Sequence, residues 1–374
     1  MKRIGIITFH RAENYGAFLQ TYASQINLMN IYPNSEVKVI DYQPWYFRNT
    51  YRLHLFDHYN NIRYSLRSCL VNLFFFPSRL KKKIKFKLSL KYLNLTSKYN
   101  CRSWKEKFDI LYLGSDQIWN ANITKGVDPV FYGEISGGCF YRIAYAASLG
   151  EDSSDNSYAN EMRRKLENIQ KISVREKSTV KYLEKLTNRK CEVVLDPTLL
   201  VKEDVWRKIS RQTIKEKNYV LIFTVNDGRS MYKDACEFAH KNGYSVISLD
   251  EVGKKNASFF GVQVKSYASL SPFEFIGAIQ NAKVVFTDSF HGTCFSIIFQ
   301  RDFFTYLSLK RNSRIVDLCD SLGLTNRLIP YLGCVDNEEK FKKINYHKVK
   351  EELKVMQDKS QNYLLNSLGG NQCE

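Results

Sequence analysis

Apolar residues in this chain occur in two arrangements: short β-branched or aromatic runs, and longer stretches in which they recur three and four positions apart. Residues 3–8 form a first short run, read as a strand. Residues 16–29 carry Leu19, Ala23, Ile26 and Leu28 at helical spacing, and residues 37–40, followed by Asp41, read as the next strand. A strand, a turn rich in Asn and Gly, a helix and a second strand open a βαβ unit. The alternation pauses at about residues 52–98. There Leu66, Leu70, Leu73 and Phe74 fall at i, i+4, i+7 and i+8, one face of a helix that Pro77 is expected to interrupt. Arg79, Lys81, Lys82, Lys83, Lys85 and Lys87 follow, interleaved with Leu80, Ile84, Phe86 and Leu88. This stretch predicts a helical insertion with a basic face.

Strands are then expected at 108–113, 141–147, 172–175 and 192–195, with helices at 160–171 and 176–186. Residues 202–218 are charged and read as a linker. Beyond it, strands at 219–225, 245–249, 283–287 and 303–307 alternate with helices at 231–241, 272–281 and 292–300. The rest is mostly helical. The fold class is therefore α/β, with two Rossmann-like domains facing a cleft. The first spans 1–201 with its insertion, and the linker 202–218 follows. The second spans 219–311, and the tail 312–374 packs back on the domains. Open parallel sheets hold ligands outside the carboxyl ends of their strands, so candidate chemistry is sought at the strand exits.

Composition narrows the picture only in places. A chain of 374 residues, 44% apolar and 25% charged, is ordinary for a folded protein of about two domains. Its net charge of +18 is not ordinary, and it points to an anionic partner: nucleic acid, a membrane surface or a phosphorylated substrate. No nucleic-acid-binding motif is present, which sets the first aside. The nine cysteines are scattered, odd in number and without a Cys-x-x-Cys pair. They argue against a disulfide framework and a zinc site, and read as reduced thiols of a cytoplasmic protein. No signal-like apolar region follows Met1-Lys2-Arg3, and residues 70–76 are far shorter than the roughly 20 a spanning helix needs.

The strand exits carry the candidates. Asp288, Ser289, His291 and Gly292 lie between a strand and a helix. Ser289 or Asp288 can cap that helix, Gly292 lets it begin tightly, and its free N–H groups can bind an anion. His291 is either a general acid or base there, or a capping and packing residue. Asn14, Tyr15 and Gly16 form the equivalent turn in the first half, read either as a phosphate or sugar-hydroxyl cradle or as a plain tight turn. They lack a dinucleotide fingerprint and a Walker lysine. Asp116 and Gln117 close another strand, with Asp116 a base or a helix cap. Trp119 is a sugar-stacking face or a core aromatic. Arg175 is placed for a bidentate grip on a carboxylate or phosphate, or for a salt bridge with Glu176. Lys310, Arg311 and Arg314 add positive charge after the last strand, or form a solvated basic loop.

Taken in order, Ile4–Phe9 with Asn14–Ala17 and Leu19-Gln20, Gly114–Asn120, Tyr145–Gly150, Ser173–Glu176, Val194–Thr198 and Thr287–Gly292 resemble the polysaccharide pyruvyl transferase family. The resemblance implies a fold similar to the two-domain, GT-B-like glycosyltransferases. It also implies phosphoenolpyruvate as donor, a glycan or lipid-linked sugar as acceptor, a pyruvate ketal as product, and neither metal nor cofactor. Members bind the donor with basic residues at positions matching Arg175 and His291. Many also carry Arg two positions before that His, where this chain has Ser289, so Lys310 or Arg311 is expected to substitute. The implied roles are catalysis by His291, Asp116 and Asp288, donor binding by Arg175, His291, Ser289, Gly292, Lys310 and Arg311, and acceptor binding by Asn14, Tyr15, Gly16, Gln117 and Trp119. The expected location is cytoplasmic, peripheral at the inner membrane face through the basic segment 79–87, with no nucleic-acid partner. Two rivals stand beside this reading: a nucleotide-sugar glycosyltransferase and a non-catalytic glycan-binding relative. Acceptor sugar, ketal stereochemistry and oligomeric state are not legible in the sequence.

Overall fold

The computed structural model describes residues 1–54, 62–137, 141–150, 156–226, 229–251, 258–309, 312–331, 333–335 and 342–369. The first sheet takes β1 (Arg3–Ile7), β2 (Glu36–Asp41), β3 (Leu95–Lys98), β4 (Ile110–Asp116), β5 (Tyr141–Ala147), β6 (Lys171–Val174) and β7 (Glu192–Val193) in the order β3-β2-β1-β4-β5-β6-β7. Every pairing in it is parallel. The second takes β8 (Tyr219–Phe223), β9 (Ser245–Ser248), β10 (Ser258–Phe259), β11 (Val262–Ser266), β12 (Val284–Thr287), β13 (Asp302–Tyr306) and β14 (Leu328–Ile329), ordered β10-β11-β9-β8-β12-β13-β14. Only the β10–β11 pair is antiparallel. Strand order reverses between β1 and β4 in one sheet and between β8 and β12 in the other. These are the topological switch points where doubly wound sheets open a crevice.

Helices α4 (Ala121–Thr124), α5 (Ala159–Leu166), α6 (Lys177–Thr187) and α8 (Arg229–Asn242) connect successive strands, and the halves share an apolar core. Helix α1 (Tyr15–Ile31) lies between the sheets, buried nearly all round. Its Tyr15 stacks on Phe275 at 4.6 Å, and Phe18 meets the edge of Phe273 at 5.7 Å, both on α9 (Pro272–Asn281). The stretch expected to be a plain linker contains α7 (Glu203–Ile209). Its Trp206 is fully buried, edge-on to Phe295 at 5.0 Å, and donates its indole N–H to the Thr198 carbonyl. Charge at the neighbouring positions hid that anchor. The second sheet also runs past residue 311, to β14. Helix α12 (Tyr346–Gly369) returns to the first domain, where Ser360 accepts from the Leu195 N–H at 3.0 Å and Gln357 donates to the Leu199 carbonyl at 2.6 Å.

The insertion differs from expectation in two ways. After α2 (Trp45–Thr50), α3 (Ile62–Ser89) runs straight through Pro77. A proline removes one helical hydrogen bond, to the carbonyl four residues back. Here that residue is Leu73, which is exposed, as is Pro77 itself, so water can serve the freed carbonyl. Second, most of the basic residues do not form a free face. Arg79 pairs with Glu251 at 2.7 Å, Lys83 with Glu13 at 2.7 Å and Lys85 with Glu274 at 2.6 Å, while Lys82 sits 4.8 Å over the Tyr15 ring. Glu13 precedes α1 and Glu274 is on α9, so α3 straps the two domains together. Leu70, Leu73, Phe74, Ile84 and Leu88 point the other way and are exposed.

Candidate functional site

Strand exits from both sheets converge on a cavity of about 250 Å³. The first domain lines it with Phe9, Ala12, Asn14, Ala17, Phe47, Tyr51, Asp116, Gln117 and Ile123. The second lines it with Val225, Asn226, Asp288, Ser289, Phe290, His291, Ser308, Arg314 and Ile315. A larger cavity of about 850 Å³ surrounds Lys283, Val284 and Asp302. It lies at the opposite, amino ends of β12 and β13, where ligands of parallel sheets are not expected.

The switch-point turns are built from local chemistry. Asn14 caps α1, its side chain accepting from the Ala17 N–H at 3.2 Å. Ser289 caps α10 (Phe290–Ile298), accepting from the Gly292 N–H at 3.3 Å. Both helices therefore turn their positive ends toward the cavity. Gly292 is required by proximity: a Cβ there would stand 2.5 Å from Thr287 Oγ1. Gly16 is required by the other domain, since a Cβ on it would stand 2.0 Å from His291 Nδ1. The imidazole thus rests directly on the backbone of the first domain's turn. Asp116 closes β4 with φ of 74°, a conformation that favours glycine, and its carboxylate accepts from the Gln117 N–H at 2.9 Å.

Behind the cavity wall lies a buried charge network. Arg175 donates to Asp196 Oδ2 at 2.8 Å and to Asp116 Oδ1 at 3.3 Å. His291 Nε2 is 3.6 Å from the same Asp196 oxygen and, among the described residues, has no hydrogen-bond partner. Asp196 also accepts from Ser115, from Thr198 Oγ1 and from the Thr198 N–H. Burial alone would raise the Asp196 carboxyl; His291, Arg175 and the Thr198 N–H outweigh it and hold it well below the usual carboxylate range. Burial dominates at Glu176 and pushes it up, against Arg175, Arg314, Ser148 and Thr179. Arg314, on α11 (Ser313–Ser321), lies 3.7 Å from Glu176, and burial with repulsion from Arg175 lowers it. Phe290 separates the cations, with Arg175 5.2 Å and Arg314 5.6 Å from its ring centre. One end of the Gln117 amide faces the Arg314 guanidinium at 3.0 Å, which places the amide oxygen there.

The structure thus brings together Asn14, Gly16, Asp116, Gln117, Asp288, Ser289 and His291. Several expected positions change. Arg175 stands one layer behind the cavity, two of its nitrogens committed to carboxylates; the described cation that lines the cavity is Arg314. Trp119 is not a sugar-stacking face: it is 2% exposed, stacks on Tyr132 and donates to the Phe131 carbonyl at 3.2 Å. Tyr15 is likewise turned into the domain interface, between Phe86 and Phe275. Asp288 accepts from Val225 N–H at 2.7 Å, from Thr224 at 2.8 Å and twice from Asn226 at 3.0 Å, so it braces the β8 exit. Asp116, by contrast, receives both of its hydrogen bonds from described residues on Oδ1. Lys310 and Arg311 lie outside the described residues. Sequence reasoning missed Asp196 and Glu176; the signal for each was a carboxylate just past a strand end. Among the described residues no His, Cys, Asp and Glu cluster is suited to a metal ion.

A family model for polysaccharide pyruvyl transferase matches residues 14–308, from the α1 cap to the cavity's Ser308. The chain belongs to that family. Its members modify polysaccharides as transferases, and the match spans both switch points. No curated protein matches the chain. Among solved structures it is similar to the UDP-GlcNAc 2-epimerase of Neisseria meningitidis bound to UDP-GlcNAc, at 10% identity and TM-score 0.52, covering 99% of this chain and 100% of that one. It is also similar to the S. aureus MnaA–UDP complex, at 11% identity and TM-score 0.52, covering 99% and 97%. These neighbours establish a GT-B-like fold.

Proposed function

We propose that this transferase moves the pyruvyl group of phosphoenolpyruvate onto a sugar of a surface-polysaccharide intermediate, forming a pyruvate ketal. The observation that carries the reading is the cavity shared by the two switch points, where His291, backed by Asp196, meets Arg314 and the amino ends of α1 and α10. Phosphoenolpyruvate carries a phosphate and a carboxylate, and this is the described cavity that offers a cation, an imidazole and two helix amino ends to such groups. Family membership supports the donor, and the charge of +18 suits an anionic substrate.

A proton adds to the donor's methylene carbon and makes its central carbon electrophilic. One sugar hydroxyl bonds that carbon and loses its proton. The carbon–oxygen bond to phosphate breaks, and a second hydroxyl closes the ketal with loss of another proton. His291 carries the first proton, since Asp196 faces Nε2 and orients the ring. Asp116, through its less committed oxygen, accepts a hydroxyl proton. Arg314 holds the donor's phosphate or carboxylate, and Arg175 positions Asp116 and Asp196. The acceptor sugar, carried on a glycan or a lipid, enters along Asn14 and Gln117.

The test is phosphate release from phosphoenolpyruvate with a competent acceptor. His291→Ala should lower turnover by about a hundredfold or more; near-normal turnover ends its catalytic role. The nucleotide-sugar reading draws on neighbours solved with UDP-GlcNAc and UDP. Stabilisation against heat by a nucleoside diphosphate and not by phosphoenolpyruvate would favour it.

A further inference from the structure

We infer that the outward face of α3 lies on an anionic lipid surface. The inference is independent of the reaction proposed above. On a helical wheel Leu70, Phe74, Ile84 and Leu88 fall within one narrow arc, with Leu73 and Leu80 beside it. Phe74 is 63% exposed and Leu88 60%, values that a packed helix of a water-facing protein does not keep along its length. Lys81 stands within the arc and Lys87 at its edge; both are exposed and, among the described residues, make no ion pair. Of the helix's other described cations, Arg79, Lys83 and Lys85 are spent on Glu251, Glu13 and Glu274, and Lys82 sits over the Tyr15 ring. What remains outward is an apolar strip with lysines on and beside it, the pattern of a helix lying in the bilayer interface. No helix among the described residues is long and apolar enough to cross a membrane, so contact is along the surface.

Charge chooses between this occupant and a second copy of the chain. Two copies paired across the strip would bring together two surfaces that each carry free lysines, on chains of net charge +18. An anionic bilayer meets the apolar side chains and the lysines together. The contact is therefore made by the apolar residues of the insertion with Lys81 among them and Lys87 beside them, not by its whole basic run.

Flotation of the full chain with vesicles of equimolar phosphatidylglycerol and phosphatidylcholine tests the idea. The unmodified chain should float, and less so with phosphatidylcholine alone. Phe74→Glu with Ile84→Glu should lower vesicle partitioning by about tenfold or more. Lys81→Glu and Lys87→Glu should each lower it about fivefold on anionic vesicles. All three variants should keep the parent's thermal midpoint and its phosphate release with a water-soluble acceptor, which separates this surface from the cavity. An unmodified chain that stays in solution overturns the proposal. So does a Phe74→Glu/Ile84→Glu chain that floats as well as the parent. So does a dimer, seen by light scattering, that is lost in that variant while vesicle binding is absent.

Discussion

Three buried residues, Arg175, Asp196 and His291, make the charge balance behind the cavity testable. Removing one partner of a buried ion pair leaves the other uncompensated, which costs about 3–5 kcal/mol. Asp196→Asn should therefore lower stability by that order at neutral pH. Asp196 titrates below its ordinary value in the folded chain. Its contribution is thus present above the ordinary carboxylate pKa of about 4 and is lost as pH falls through the depressed folded value. Urea midpoints measured stepwise into acid should show the gap between parent and variant closing; a gap unchanged by pH refutes the assignment. Gly16→Ala is the complementary test at the cavity. The added methyl collides with the imidazole and displaces His291, so phosphate release should fall about a hundredfold while the chain still folds. Residues of this kind were partly legible beforehand. His291 and Asp116 could be found because parallel sheets put chemistry at strand exits. Arg314 was legible only as one of several basic residues after the last strand and Asp196 only as a carboxylate past a strand end; that Arg314 meets the first domain's side of the cavity depends on how the two domains dock. Trp119 shows the opposite failure: an aromatic after a strand looks the same in sequence whether it faces a ligand or the Tyr132 ring.

At the scale of elements, most strands and helices followed from apolar periodicity, and the exceptions have physical causes. β3, β10 and β14 are short edge strands and β11 buries only Val264, so none has a sustained apolar run to mark it. α7 was hidden because its charged residues outnumber Trp206, its one fully buried side chain. α3 continues through Pro77 because its long inner side is pinned by packing and ion pairs, which outweigh one missing hydrogen bond. Pro77→Ala should restore that bond and raise stability by up to about 3 kcal/mol, read as a higher thermal midpoint. Breaking the strap acts differently. Its ion pairs are partly exposed, so Lys83→Ala should cost about 1 kcal/mol or less.

For the whole molecule, the decisive property is that the apolar core crosses the domain boundary. Interfaces between domains are usually modest and polar and permit relative motion. Here Phe18, Tyr22, Trp206, Phe273, Phe275 and Phe295 pack as one body, further clasped by α3 and α12. The two sheets should therefore melt together, with calorimetry and tryptophan fluorescence giving one coincident transition. Phe273→Ala should lower that single transition, at a cost of about 3–5 kcal/mol, without splitting it; two resolved transitions in the parent would show the halves to be separate units. The same docking sets the contact between His291 and Gly16, with no room for a single extra carbon. That contact links two places 275 positions apart in the sequence. The coupling runs one way: a larger residue at 16 is admissible only where 291 has become smaller, so position 16 is held to glycine for as long as 291 stays a histidine.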